Sequence, residues 1–136
     1  MALLRVLTGY TVYCQEGPAV LLVHGLGAFL EHYCENISSI ADGGNHFQAI
    51  TLLGFGRSEK PNIIYYELMW AELLCDFIVE VVGQPVHLIG NSFGGYLASI
   101  VGGLWPSLAK SIVLANSAGF VIPEYSSLMF SNVQNF

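Results

Sequence analysis

Charge is scarce in this chain. Of its 136 residues only 10% are charged and four are basic. Those four, Arg5, Arg57, Lys60 and Lys110, are scattered and the formal net charge is −6, so there is no basic surface to grip a phosphate backbone, and nucleic acid is excluded as a partner. Cysteine is sparse as well. Cys14, Cys34 and Cys75 are far apart and odd in number, which gives no closed disulfide framework and points to a reducing, intracellular compartment. The N-terminus has one arginine and a short apolar stretch before Thr8, too little for a signal peptide, and shows no transit peptide. No unbroken run reaches the roughly 18 apolar residues of a membrane span. The nearest, residues 93 to 109, contains Pro106 and four glycines. Repeats, low-complexity tracts and interdomain linkers are also missing, and the length suits one domain.

What remains is apolar: 54% of the residues are hydrophobic, a composition that implies a large core. Four short runs recur, AVLLV (19–23), FQAITLL (47–53), VHLIG (86–90) and SIVLAN (111–116). None alternates with polar residues, so they read as central parallel strands buried on both faces. Between them lie helical patterns. Trp70, Leu73, Leu74, Phe77, Ile78 and Val81 share one face of a helix that stops near Gly83, with Glu72, Asp76 and Glu80 opposite. Weaker patterns place helices at Tyr33, Ile37, Ile40 and Ala41 and at Leu97, Ile100, Val101 and Leu104, the latter ending before Pro106. YTVYCQE alternates and predicts an antiparallel strand leading in. The alternation of strand and helix implies an α/β fold, a mostly parallel sheet with helices on both faces in a three-layer sandwich.

The strand PVHLI runs into GNSFGG and then into the helical GYLASIVGGL. This strand-turn-helix setting is what a nucleophile elbow requires. The sharp reversal strains the central residue and presses the positions two before and two after it together, so Gly90 and Gly94 fit there, Gly95 lets the helix sit close to the sheet, and Asn91 precedes the exposed Ser92 hydroxyl. The strand at 19–23 ends in His24-Gly25-Leu26-Gly27, a glycine-flanked loop before a helix that is expected to turn the Leu26 N–H toward the same place as that of Phe93, as an oxyanion hole demands.

On these residues, together with LLGFGRSEKP (52–61), the sequence resembles the α/β-hydrolase fold family, from about Gly9 to Pro123. The wording of LLVHGLGAFLEHYCENI and PVHLIGNSFGGY is similar to that of plant plastid, pheophytinase-like members. The resemblance implies a serine hydrolase of carboxylic esters or related acyl compounds, with Ser92 as nucleophile, Leu26 and Phe93 as backbone oxyanion hole, and His24, Gly25, Gly27, Gly90, Asn91, Gly94 and Gly95 in support. It implies a small hydrophobic ester or acyl compound as partner, no cofactor, and a chloroplast location.

Such hydrolases order their triad serine, acid, histidine. After Ser92 this chain has one acid, Glu124, and no histidine. His24 is assigned a structural role by the resemblance, His87 reads as a satisfied core residue, His46 as exposed, and His32 lies in EHYCE, whose spacing matches no standard metal motif. Residues 1–136 are therefore expected to be the N-terminal part of one hydrolase domain, with a lid or irregular tail starting at 118–136, the acid and base further on, and this portion inactive and poorly soluble by itself. A non-catalytic, ligand-binding protein of the same fold stays open as the alternative. GLGAFL (25–30) imitates a dinucleotide fingerprint, but Leu30 replaces the third glycine and no ribose-binding acid follows.

Overall fold

The computed structural model describes residues 9–13 and 16–119. Five strands form one sheet: β1 (Tyr10–Tyr13), β2 (Ala19–Val23), β3 (His46–Ile50), β4 (Val86–Asn91) and β5 (Ala109–Ala115). Their order is β1-β3-β2-β4-β5. β1 runs antiparallel to β3, and all the other pairings are parallel. Three helices connect them, α1 (Cys34–Ala41), α2 (Glu67–Phe77) and α3 (Phe93–Leu104).

The sheet separates two apolar layers, because successive side chains on a strand point to opposite faces. Leu21 and Val23 of β2 pack with Leu74 and Phe77 of α2 and Leu97 and Val101 of α3. Val20 and Leu22 pack on the other face with Phe47 and Ala49, and with Tyr33, Ile37 and Ile40 around α1. β2 is buried along its whole length, as a strand with helices on both faces must be.

The expectation of burial on both faces is met by β2 and nearly met by β3, but not by the other two runs. β4 alternates between buried and half-buried, and β5 is mostly exposed, with Val113 50% and Leu114 48% accessible. Apolar composition alone does not distinguish a strand that is covered on both faces from one left largely exposed among the described residues. The amphipathic helix also ends differently from a regular α-helix. After Phe77 it widens into a π-type turn over Ile78–Val82, closed by the Gly83 N–H on the Ile78 carbonyl at 2.9 Å, with Gly83 in the left-handed region at φ 73°. Among the described residues no helix is long and apolar enough to cross a membrane.

Candidate functional site

β4 and α3 are joined by one residue, Ser92, at φ 50° and ψ −116°. A non-glycine residue at positive φ is costly and persists only where its surroundings dictate it. Here both flanking peptide groups are held. The Ser92 N–H donates to the Ala115 carbonyl at 3.0 Å, and the Ser92 carbonyl accepts from the N–H groups of Gly95 at 3.0 Å, Tyr96 at 3.2 Å and Ala118 at 2.9 Å.

Close backbone approach explains the glycines. A Cβ on Gly90 would collide with the backbone of Gly94 and Gly95, and one on Gly94 would collide with the carbonyl of Val23 and come within 2.6 Å of that of His24. One on Gly95 would lie 2.8 Å from the Ser117 hydroxyl and 3.0 Å from the Gly90 oxygen. The start of α3 is thus seated directly on the end of β2.

The loop leaving β2 touches the same turn. A Cβ on Gly25 would lie 3.1 Å from Asn91 Oδ1 and 3.2 Å from Ser92 Cβ. The Gly25 carbonyl accepts the Ala28 N–H at 3.2 Å, and Gly27 follows at φ 75°. The Leu26 side chain is 71% exposed. Phe93 opens α3, so no residue four back within the helix can accept its N–H. Neither that N–H nor the Leu26 N–H donates to an acceptor among the described residues. Two donors without an acceptor among the described residues, at touching loops and one of them at a helix N-terminus, suit an anion or a developing oxyanion. Asn91 anchors sideways, donating from Nδ2 to the Ala115 carbonyl at 3.3 Å.

His24 is fully buried. Its Nε2 accepts the Leu52 N–H at 3.0 Å and its Nδ1 lies 2.7 Å from the Gly25 carbonyl. An amide can only donate, so Nε2 is the acceptor and Nδ1 carries the proton. Both nitrogens are occupied by backbone, and burial holds the pKa below 6.5, opposed by the Gly25 carbonyl and reinforced by His32. The neutral ring ties the strand ends together.

The other histidines lie apart from the turn. His32 is exposed and meets the Tyr33 ring edge-on at 5.1 Å. Two expectations need correction. His46 is half-buried rather than exposed, 2.9 Å from Gln48 Nε2. His87 is not a core residue: it lies half-buried, with Nδ1 2.7 Å from the Ser111 hydroxyl on β5. Nothing in a single strand's sequence shows which of its faces a helix will cover. Among the described residues no three His, Cys, Asp or Glu side chains converge to hold a metal.

Beside the turn, Gly54, Phe55, Lys60, Pro61, Asn62, Tyr65 and Trp70 line an open groove of about 410 Å³. Four of its lining residues belong to GFGRSEKP (54–61), and none belongs to FLEHY (29–33). Trp70 connects groove and turn: it stacks on Tyr65 at 5.4 Å and meets Phe93 edge-on at 5.3 Å, and its indole N–H donates to the Leu53 carbonyl at 2.9 Å. Spacing marked Trp70 only as a core residue. A second residue that sequence reasoning left on a helix face is Tyr33, whose hydroxyl donates to the Val23 carbonyl at 2.8 Å. No local signal shows either role, because the partners are distant in sequence. The stretch assigned to a lid lies outside the described residues from position 120 onward.

Residues 20–133 match the alpha/beta hydrolase family. The chain is 34% identical over 116 residues to 2-hydroxy-6-oxo-6-(2'-aminophenyl)hexa-2,4-dienoic acid hydrolase of Metapseudomonas resinovorans, covering 83% of this chain and 40% of that protein. It is 34% identical over 70 residues to chloroplastic pheophytinase of Arabidopsis thaliana, covering 49% of this chain and 14% of that protein. A bacterial membrane phospholipase A superposes with a TM-score of 0.79 at 29% identity, over 84% of this chain and 37% of that one. The chain thus spans less than half the length of the relatives it matches. With a parallel sheet, a serine at its carboxyl edge and a family match over most of its length, this chain belongs to the alpha/beta hydrolase family.

Proposed function

We propose that Ser92 is the nucleophile of an acyl hydrolase acting on a small hydrophobic ester or related compound. The observation that carries this reading is the backbone of Ser92: a non-glycine residue at φ 50°, held by four backbone hydrogen bonds at the start of a helix. In the proposed reaction the Ser92 oxygen attacks the acyl carbon, its proton passes to a general base, and the carbonyl oxygen becomes an oxyanion bound by the Leu26 and Phe93 N–H groups. Collapse expels the alcohol with that proton and leaves an acyl-enzyme, which water then hydrolyses. Each oxyanion donor is worth roughly 2.7–4 kcal/mol of barrier in such enzymes.

Among the described residues none of the four histidines bonds to Ser92: His46 meets Gln48, His87 meets Ser111, His32 packs on Tyr33, and His24 has both nitrogens engaged by backbone. The general base and its orienting acid are therefore assigned to residues outside the described ones, in keeping with relatives more than twice as long. Gly27 and the groove beside Trp70 flank the substrate approach. The likeness to a chloroplastic relative supports a plastid location, which a fluorescent fusion of the complete reading frame would test.

A fluorophosphonate probe tests the nucleophile. The complete protein should be labelled at Ser92, and Ser92→Ala should abolish labelling and lower ester turnover by a factor on the order of 10⁴–10⁶. Tight binding of an ester without labelling or turnover would instead mark a ligand-binding protein on a hydrolase fold.

A further inference from the structure

Tyr33 occupies the short helical turn between β2 and α1, on the face of the sheet opposite α3. Its side chain is buried, and its hydroxyl donates to the Val23 carbonyl at 2.8 Å. Val23 is the last residue of β2 and pairs with Gly90 at the end of the β2–β4 ladder. Beyond that step the chains diverge into His24-Gly25-Leu26 on one side and Asn91-Ser92-Phe93 on the other. The strand order reverses here, with the helix after β2 packed on one face and the helix after β4 on the other. Such a switch point opens a crevice at the carboxyl ends of the strands, and the ladder has no further backbone pair to fix its width.

The phenol stands at that opening. The Asn91 N–H lies close enough to favour its ionised form, but burial dominates and pushes the pKa up to about 12, so the hydroxyl remains a donor at neutral pH. Packing alone would be served by a phenylalanine, and burying a hydroxyl is costly unless it is bonded.

We propose that Tyr33 is a positioning residue for the oxyanion hole: its hydroxyl holds the Val23 carbonyl at the end of the ladder and thereby fixes the loop bearing Leu26 against the turn bearing Ser92 and Phe93. Its catalytic meaning rests on the proposed role of Ser92, whereas the positioning itself is a statement about backbone order.

The variant is Tyr33→Phe in the complete protein, which keeps the ring and removes only the oxygen. Two readouts are compared with wild type: the kinetics of fluorophosphonate labelling, resolved into the maximal inactivation rate and the half-saturating probe concentration, and residue-resolved amide hydrogen exchange. The expected result is a maximal rate roughly tenfold lower, an unchanged half-saturating concentration, and faster exchange at Asn91 and Ser92 with Leu88 in mid-strand unaffected. A wild-type maximal rate would overturn the proposal, as would exchange that is unchanged at Asn91 and Ser92 or uniformly faster across the sheet. If wild type is not labelled at all, the nucleophile reading fails separately. The exchange pattern then decides the positioning role by the same criterion.

Discussion

Leu52 donates its backbone N–H to Nε2 of His24 at 3.0 Å, which leaves the buried imidazole neutral and its other nitrogen bonded to the Gly25 carbonyl. The folded-state pKa is below the 6.5 of the free side chain, chiefly through burial. Between those two values the unfolded chain binds the extra proton and the folded one does not. The stability His24 contributes is therefore fully present above about pH 6.5 and is lost as pH falls from there towards the folded-state value. Wild type should melt at lower temperature at pH 5.5 than at pH 7.5. His24→Gln should flatten that slope and cost about 1–3 kcal/mol at pH 7.5, by leaving a buried backbone group unpaired. Equal slopes in thermal melts of the two proteins would refute the assignment.

Glycines near the turn should differ sharply in their tolerance of a methyl group. Gly90→Ala and Gly94→Ala place a Cβ against backbone that cannot move away, and each is expected to cost more than about 3 kcal/mol or prevent folding. Gly27 has open space around a Cβ and only its φ of 75° against the change, so Gly27→Ala should cost about 1 kcal/mol. Denaturant melts of the three variants check the order.

Backbone strain at Ser92 predicts an asymmetry between two substitutions there. Ser92→Ala keeps a Cβ at φ 50° and should leave stability within about 0.5 kcal/mol of wild type. Ser92→Gly removes the strain, worth about 1–3 kcal/mol, against a chain-entropy cost of about 0.5–1 kcal/mol. It should therefore melt at a higher temperature than Ser92→Ala. Calorimetry in which the glycine variant is the less stable of the two would show that the turn is relaxed.

β5 presents Val113 and Leu114 to solvent at the edge of the described sheet. Unprotected apolar edges invite strand-to-strand association. For a polypeptide of these 136 residues, Val113→Lys should raise the concentration at which light scattering first detects aggregates. No change, or a lower threshold, would place the association surface elsewhere.

The glycine pattern, the helix starting after Ser92 and the loop after β2 were all legible because each is a local requirement. Sharp turns select small residues, helices select a period, and buried strands select apolar runs. The fold class followed from these, as did the candidate nucleophile. Coverage did not follow: β5 has an apolar run like that of β2 yet lies at the edge of the described sheet, and His87 sits in an apolar strand yet is only half-buried, bonded to Ser111. Whether a face is buried depends on which elements pack there.

The sequence by itself determined the order of strands and helices, the family, and the position of the serine turn. Only the tertiary structure decided which groups meet across that turn. The His24 imidazole between Gly25 and Leu52, the Tyr33 hydroxyl on Val23, and the Trp70 ring between Tyr65 and Phe93 join residues that only the strand order 1-3-2-4-5 brings to one edge. That order arises from long-range pairing, for which no local propensity encodes a partner.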